Sequence, residues 1–305
     1  MKKTYYSNGK LLITGEYLVL DGAKALALPT KFGQNLIIEK GENQAIYWKS
    51  YDVDQHIWFE DSISFASIIT PQQTAEPSVK TTLTAILHHA YLANPRFIDQ
   101  ACGYQITTQL TFPRKWGLGT SSTLINNIAQ WLQIDAFKLL NASFGGSGYD
   151  IACAQHHYPI TYQLQHGKPK VVKHSFVPSF SDQIYFVYLN QKQSSKTAIA
   201  KYRNQHHPAL EKDLAFINAI TTEVLEASKI ETFEHALEKH ESKMSHILQT
   251  STIKELLFAD FEGQIKSLGA WGGDFVMVTS KTNPIPYFQA KGYPTVLSYQ
   301  EMILT

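Results

Sequence analysis

The stretch PRKWGLGTSSTL, Pro113 to Leu124, sets Gly117 and Gly119 around Leu118. It then places Thr120, Ser121 and Ser122 ahead of a helix-like run. Glycine lets the backbone approach an anion without a Cβ in the way. The first N–H groups of a helix lack internal partners and lie at the positive end of its dipole. The stretch reads either as a phosphate cradle or as a turn with Thr120 as helix cap. It is not a Walker A loop, because G-x-x-x-x-G-K-[ST] is absent. In NGKLLITGE, Asn8 to Glu16, Lys10 and Glu16 interrupt a run otherwise suited to a buried sheet. An unpaired buried lysine is costly, so Lys10 is either paired or on an edge strand facing water. In FGGSGYDIACAQ, Asp150 stands between a Gly loop and an apolar helix start. It favours that helix N-terminus by capping and dipole alone, or it is a carboxylate held near Lys10. Such a pair orients a substrate hydroxyl and lowers its proton affinity, as a phosphoryl acceptor requires. In KSLGAWGGDFVMV, Lys266 to Val278, Gly269, Gly272 and Gly273 lead into a strand. They form a helix C-cap and turn, or another loop touching phosphate or substrate.

These stretches sit in a chain of 305 residues, long enough for one large or two medium domains with a proper core. Hydrophobic residues make up 44% and charged residues 17%, as in a soluble globular protein. The formal net charge of +1 gives no field to attract nucleic acid or anionic lipid, so neither is an expected partner. A site for a charged ligand must be local. The two cysteines, Cys102 and Cys153, show no CxxC spacing, which argues against a disulfide framework and a structural zinc site. The start, MKKTYYSNGKLLITGEYLVL, has no unbroken apolar stretch like that of a signal peptide. No segment approaches the roughly 20 apolar residues that span a bilayer, and a soluble, cytoplasmic protein is expected. The histidine doublets, and His235, His240 and His246 on one helix, show no HExxH or comparable spacing. They read as amphipathic surface rather than metal ligands.

The elements that position these residues follow from periodicity. Leu11–Leu20, broken at Gly15-Glu16, and Ala25–Leu28, ending at Pro29, read as strands. So do Asn35–Glu39, Ala45–Lys49 and His56–Glu60. Ser78–Ala93 reads as a helix stopped by Asn94-Pro95. Tyr104–Phe112 is a strand, and Thr120 to about Leu132 is a helix with Leu124, Ile128, Trp131 and Leu132 on one stripe. Tyr162–Leu164 and Lys170–Lys173 read as strands around a Gly167 turn, and Gln183–Leu189 as a stronger strand. Ala209–Ala227, Thr232–Leu248 and Glu255–Leu268 read as helices, and Asp274–Thr279 as a strand. The change from β to α near 165–190 predicts two lobes.

In this order the motifs resemble the GHMP kinase superfamily, which includes galactokinase and the homoserine, mevalonate and phosphomevalonate kinases. NGKLLITGE resembles its first motif, PGKxxxxGE, with asparagine for proline. PRKWGLGTSST resembles PxxxGLGSSAA, and KSLGAWGGDF resembles KxSGAGGGDC. GSGYDIA, Gly146 to Ala152, resembles the GSGFDVA of phosphomevalonate kinases, and a small group of GHMP kinases shares GYDIA. The resemblance implies an α+β, two-lobed fold. An N-terminal α/β ATP-binding lobe, residues 1–165, would carry the phosphate-binding Gly loop, followed by a ferredoxin-like α+β lobe, residues 166–305. It implies ATP and Mg²⁺ as cofactors and transfer to a mevalonate-pathway acid of isoprenoid biosynthesis, phosphomevalonate ahead of mevalonate. Gly117, Leu118, Gly119, Thr120, Ser121 and Ser122 would wrap the ATP phosphates, with the Ser121 hydroxyl on Mg²⁺. Asp150 would be the catalytic carboxylate and Lys10 its partner. Glu16, Tyr17, Ser147 and Gly148 would lie near the acceptor. LNQKQSSKTAI, Leu189 to Ile199, resembles an acceptor-touching segment. It offers Lys192 and Lys196 for a carboxylate or phosphate, with Ser194 and Ser195 beside them. Gly269, Ala270, Gly272, Gly273 and Asp274 would complete the substrate side.

The chain also departs from the family. Trp271 replaces a glycine of the third motif and would narrow that loop or stack on something, and Leu268 replaces a hydroxyl residue. The stretch before Asp150 holds little more than one helix. Where mevalonate kinases hold Mg²⁺ with a glutamate, this chain has Leu139, which leaves Ser121, phosphate oxygens and water. Two other functions stay open: a GHMP kinase for another alcohol, such as a sugar or homoserine, or a nucleotide-binding protein that no longer transfers phosphate, with Trp271 as the disabling change.

Overall fold

The computed structural model describes residues 2–71 and 78–304. The chain divides into two compact units. The first comprises Met1–Gly9, Phe32–Arg114 and Leu118–Gln155. The second comprises Lys10–Lys31, Lys115–Gly117 and His156–Thr305.

Two long strands, β1 (Lys3–Thr14) and β2 (Ala25–Lys40), give residues to both units. The first unit continues with β3 (Ala45–Tyr51), β4 (Ile57–Ser64), α1 (Phe65–Ile69), α2 (Val79–Ala93), α3 (Arg96–Asp99) and β5 (Tyr104–Leu110). It ends with α4 (Thr120–Leu132), α5 (Ala136–Ser143) and α6 (Tyr149–Ala154). β3 and β4 form an antiparallel hairpin, β5 runs parallel to β3, and Gln34–Lys40 of β2 pairs antiparallel with β5. Inward residues of these strands, among them Leu36, Trp48 and Ile106, pack against Ile86 of α2, Ile128 of α4 and Leu139 of α5. That alternation on the strands and the helical stripe opposite it bury one face of each element.

In the second unit, β6 (Ile160–Gln165) and β7 (Lys168–Lys173) form a hairpin, and β6 pairs with Ala25–Ala27 of β2. His166 and Gly167 carry the positive φ of 51° and 74° that a two-residue hairpin loop requires. Next come β8 (Ile184–Tyr188), α7 (Ser195–Arg203), α8 (Leu210–Glu226), α9 (Ile230–Leu248), α10 (Ile253–Leu257) and β9 (Ile265–Ser267). β10 (Phe275–Thr279), α11 (Ile285–Ala290), β11 (Val296–Ser298) and α12 (Tyr299–Met302) complete it. The sheet order is β11-β8-β10-β9, every neighbouring pair antiparallel. Taken in chain order this is the βαββαβ, 4-1-3-2 arrangement of a ferredoxin-like sheet.

The structure corrects the sequence reading in places. β2 runs on through Pro29, where a strand end was expected. The Pro29 carbonyl accepts from Leu304 N–H at 3.0 Å, and proline has no N–H left to satisfy. Residues 18–21 form a 3₁₀ turn rather than more strand. The expected helix Glu255–Leu268 is only α10, after which the chain turns into β9. Phe258 and Phe261 pack with Ile265 and Val276, so tertiary burial overrides the helical pattern. His240 is fully buried rather than surface. It lies on the apolar stripe of α9 with Phe233, Leu237, Met244 and Leu248. α7 was not foreseen. Both cysteines are free thiols, and among the described residues no helix is long and apolar enough to cross a membrane.

Candidate functional site

In the first unit, the second-motif loop ends at the N-terminus of α4. The cap is Gly119, not Thr120. Gly119 adopts φ 95° and ψ 38°, which an L side chain resists, and no side chain caps the helix. The first helical bond runs from Thr123 N–H to Gly119 O at 2.9 Å. The N–H groups of Thr120, Ser121 and Ser122 therefore precede the helical ladder. The Ser122 hydroxyl turns back to Gly119 O at 3.0 Å, and Thr123 Oγ donates to Gln34 Oε1 at 2.8 Å, so both brace the turn. Leu118 is buried beneath the loop, Thr120 is half-buried and Ser121 is exposed. In the same unit, α6 packs on α4. Its first turn carries Asp150, half-buried, behind the buried Ser147 and Gly148. Leu139, where the sequence resemblance implies a metal-binding glutamate, is core.

In the second unit, three of the motifs meet at Gly117. Lys10 Nζ donates to the Gly117 carbonyl at 3.4 Å. The Asp274 carboxylate lies against the Gly117 α-carbon, where an added Cβ would come within 2.3 Å of it. Gln193 N–H donates to Asp274 Oδ1 at 3.3 Å. Burial raises the Asp274 carboxyl above the ordinary range, and the Lys10 ammonium, the Gln193 N–H and Lys192 pull it back. Asp274 N–H also donates to Gln191 O at 2.8 Å, its carbonyl accepts from Leu189 N–H at 2.8 Å, and the Gln193 amide reaches Gly272 O at 3.2 Å. The segment after β8 and the third motif are thus laced together, and Gly273 lies directly under Gln193. Lys192 and Lys196 are exposed. Ser194 caps α7, accepting from Thr197 N–H at 3.3 Å, and Ser195 begins that helix.

Glu16 and Tyr17 occupy a tight turn at the end of β1. Leu18 N–H donates to Glu16 O at 2.6 Å, closing a three-residue γ-turn. Its central residue, Tyr17, has φ 59° and ψ −53°, a strained conformation for a side-chain-bearing residue. The Tyr17 hydroxyl accepts from Trp271 N–H at 3.3 Å, and its ring packs 5.5 Å from that of Tyr202 on α7. Trp271 does not lie across the glycine loop. It is buried with Leu18, Tyr202, Ile217, Met244 and Leu248, so it anchors the loop into the unit. Gly269 is half-buried and Ala270 buried beside it.

Beneath that turn is a buried ionic cluster. Lys266 of β9 binds Glu16 and lies 3.2 Å from Glu241 Oε1; all three side chains are at most 3% exposed. Ser267 Oγ donates to Glu241 Oε2 at 3.0 Å. Gly15 N–H donates to His240 Nε2 at 3.1 Å, and Glu16 Oε2 lies 3.3 Å from the same nitrogen. Burial pushes the Glu16 carboxyl up to about 7 against the pull of Lys266, and it raises Glu241. Burial, with the Lys266 charge, holds His240 well below its ordinary value. Burial also opposes the Lys266 ammonium, but the two carboxylates outweigh it. Sequence reasoning missed His240, Glu241 and Gln193. The spacing of Phe233, Leu237, His240 and Met244 signals the buried face of α9, whereas nothing local to Gln193 reveals its partner.

No group of three or more His, Cys, Asp or Glu side chains that could hold a metal occurs among the described residues. A hard ion could draw one protein oxygen from Ser121. No family model and no curated protein matches the sequence. Solved structures match it along nearly its whole length. Methanococcus jannaschii mevalonate kinase is 12% identical, covers 100% of this chain and 99% of its own, and has a TM-score of 0.72. The Streptococcus pneumoniae phosphomevalonate kinase in complex with phosphomevalonate and AMPPNP is 15% identical over 97% and 99%, with a TM-score of 0.70. Lactococcus lactis galactokinase complexed with galactose is 11% identical over 100% and 95%, with a TM-score of 0.69. At such identities the likeness carries the fold: this chain has the fold of the GHMP kinases.

Proposed function

We propose that the chain is an ATP- and Mg²⁺-dependent kinase that phosphorylates a small acid, phosphomevalonate or mevalonate. The observation that carries this reading is the glycine-capped N-terminus of α4, which has no side-chain cap. Backbone amides there suit phosphate oxygens without a Cβ in the way. The loop also fits ATP because Leu118 and Thr123 hold it from behind and leave its amide side clear of side-chain caps.

On this reading Gly117 to Ser122 hold the triphosphate of the co-substrate, and the Ser121 hydroxyl offers Mg²⁺ one oxygen. When bound, the ion would neutralise phosphate charge. Lys10 stabilises negative charge on the transferring group, and Asp150 accepts the proton of the acceptor hydroxyl. The acceptor oxygen bonds to the γ-phosphorus, the bond to ADP breaks, and the proton passes to the Asp150 carboxylate. Lys192 and Lys196 are assigned to the acid end of the acceptor, and the Gly269–Asp274 loop to the substrate side. The GSGYD and GGD sequences favour phosphomevalonate over mevalonate. The similar TM-score to galactokinase keeps a sugar acceptor as the second reading. Trp271 as a disabling change is disfavoured, because its side chain is buried in the core of its unit.

Asp150→Asn is the test: it should lose transfer by at least about 100-fold while nucleotide affinity stays within a few-fold. Full turnover in that variant would remove Asp150 from the mechanism.

A further inference from the structure

Two carboxylates and one ammonium meet out of contact with water in the Glu16–Lys266–Glu241 cluster, beside an imidazole. With both carboxylates ionised the cluster holds one uncompensated buried negative charge, which is costly. The Gly15 N–H that donates to His240 Nε2 favours a lone pair on that nitrogen and so the proton on Nδ1, a buried atom with no hydrogen-bond partner of its own among the described residues. Glu16 Oε2, 3.3 Å from the same lone pair, has no hydrogen-bond partner among the described residues. Two acceptors facing each other in a dry interior repel, unless one of them holds a proton.

We infer that Glu16 Oε2 holds a buried proton that it donates to His240 Nε2, and that His240 and Lys266 are positioning residues for the two loops built on this cluster. The proton brings the cluster to neutrality, with the Lys266 ammonium balanced by the Glu241 carboxylate. Glu16 then bridges α9 and β9, donating through Oε2 and accepting from Lys266 through Oε1. Immediately after Glu16 comes the strained turn at Tyr17, and immediately after Lys266-Ser267 comes the Gly269–Asp274 loop. Loss of the proton sets a carboxylate against the imidazole lone pair and loosens both footings. The charged or titratable groups facing Glu16 are Lys266 from β9, His240 and Glu241 from α9, and Tyr17 in its own turn.

The sign follows from the proton. Glu16 titrates near 7 in the folded unit and at 4.5 ordinarily, so the folded state holds the proton more tightly. Its stabilising effect is full below 4.5 and is lost as pH rises through about 7. From well below 4.5 to well above 7 the unfolding constant rises by about 300-fold on account of this group.

The test compares urea unfolding of the wild-type chain and Glu16→Gln across that pH range. The variant, whose amide cannot lose the proton, should lack this loss and gain about 300-fold relative to the wild type between the two limits. Parallel pH dependence overturns the inference. Nitrogen-15 NMR of His240 in the wild-type chain decides the matter if the variant fails to fold. The ring should stay a neutral Nδ1–H tautomer while its Nε2 signal moves with a midpoint near 7. An imidazolium, or no movement, refutes a proton held on Glu16. A rise in acceptor KM above that midpoint, with kcat little changed, is expected only on the kinase reading; the unfolding and NMR results do not depend on it.

Discussion

Gly117 bears the contact that joins the first three motifs of the second unit, and a single methyl group tests it. In Gly117→Ala the new Cβ would lie 2.3 Å from the Asp274 carboxyl carbon and from one oxygen. Non-bonded carbons settle at about 3.5–4.0 Å, so something must move by more than about 1 Å. The backbone at φ 68° adds about 1–2 kcal/mol for an L side chain. If Asp274 swings away, it loses the Gln193 N–H at 3.3 Å. That bond to a charged group is worth about 1.5 kcal/mol, at the low end because it is long. The sum is roughly 3 kcal/mol. In an Asp274→Gly background the obstruction is gone, and the same alanine should cost only its backbone part, about 1.5 kcal/mol, leaving a coupling of about 1.5 kcal/mol. Urea denaturation of the four proteins, followed by tryptophan fluorescence, measures it. An equal cost in both backgrounds would refute the contact as the reason for glycine.

Two other substitutions probe the second unit. Lys266→Met strands Glu16 and Glu241 without their cation and should destabilise by about 3–5 kcal/mol. Adding Glu16→Gln and Glu241→Gln should recover most of that, and thermal unfolding showing no recovery would mean charge is not the issue. Trp271→Ala should cost about 3–5 kcal/mol as a core deletion; a change within about 0.5 kcal/mol would indicate a surface side chain instead.

Particular residues show how far the sequence could be read. The span of α4 was legible from the stripe of Leu124, Ile128 and Leu132, but its cap was not, because Gly119 at positive φ takes the place expected of Thr120. The ferredoxin-like strands β8 and β10 were legible as short apolar runs. Glu255–Leu268 misled, because a helical pattern there competes with pairing to β10 that only the folded sheet supplies. The γ-turn at Tyr17 had no signal, since a tyrosine at positive φ is imposed by its surroundings rather than chosen by propensity. Likewise Glu16 looked like a polar break in a strand; its partners lie more than 200 positions away, at His240, Glu241 and Lys266. Pairings of that kind arise from packing, which local periodicity does not encode.

The central claim is phosphoryl transfer to a small alcohol. The direct measurement is phosphorus-31 NMR of the purified chain with ATP, Mg²⁺ and, in turn, phosphomevalonate, mevalonate, galactose and homoserine. The account predicts a new phosphoryl resonance on one acceptor, growing in step with ADP and fastest with phosphomevalonate. Tight nucleotide binding with no phosphorylated product from any acceptor would contradict it.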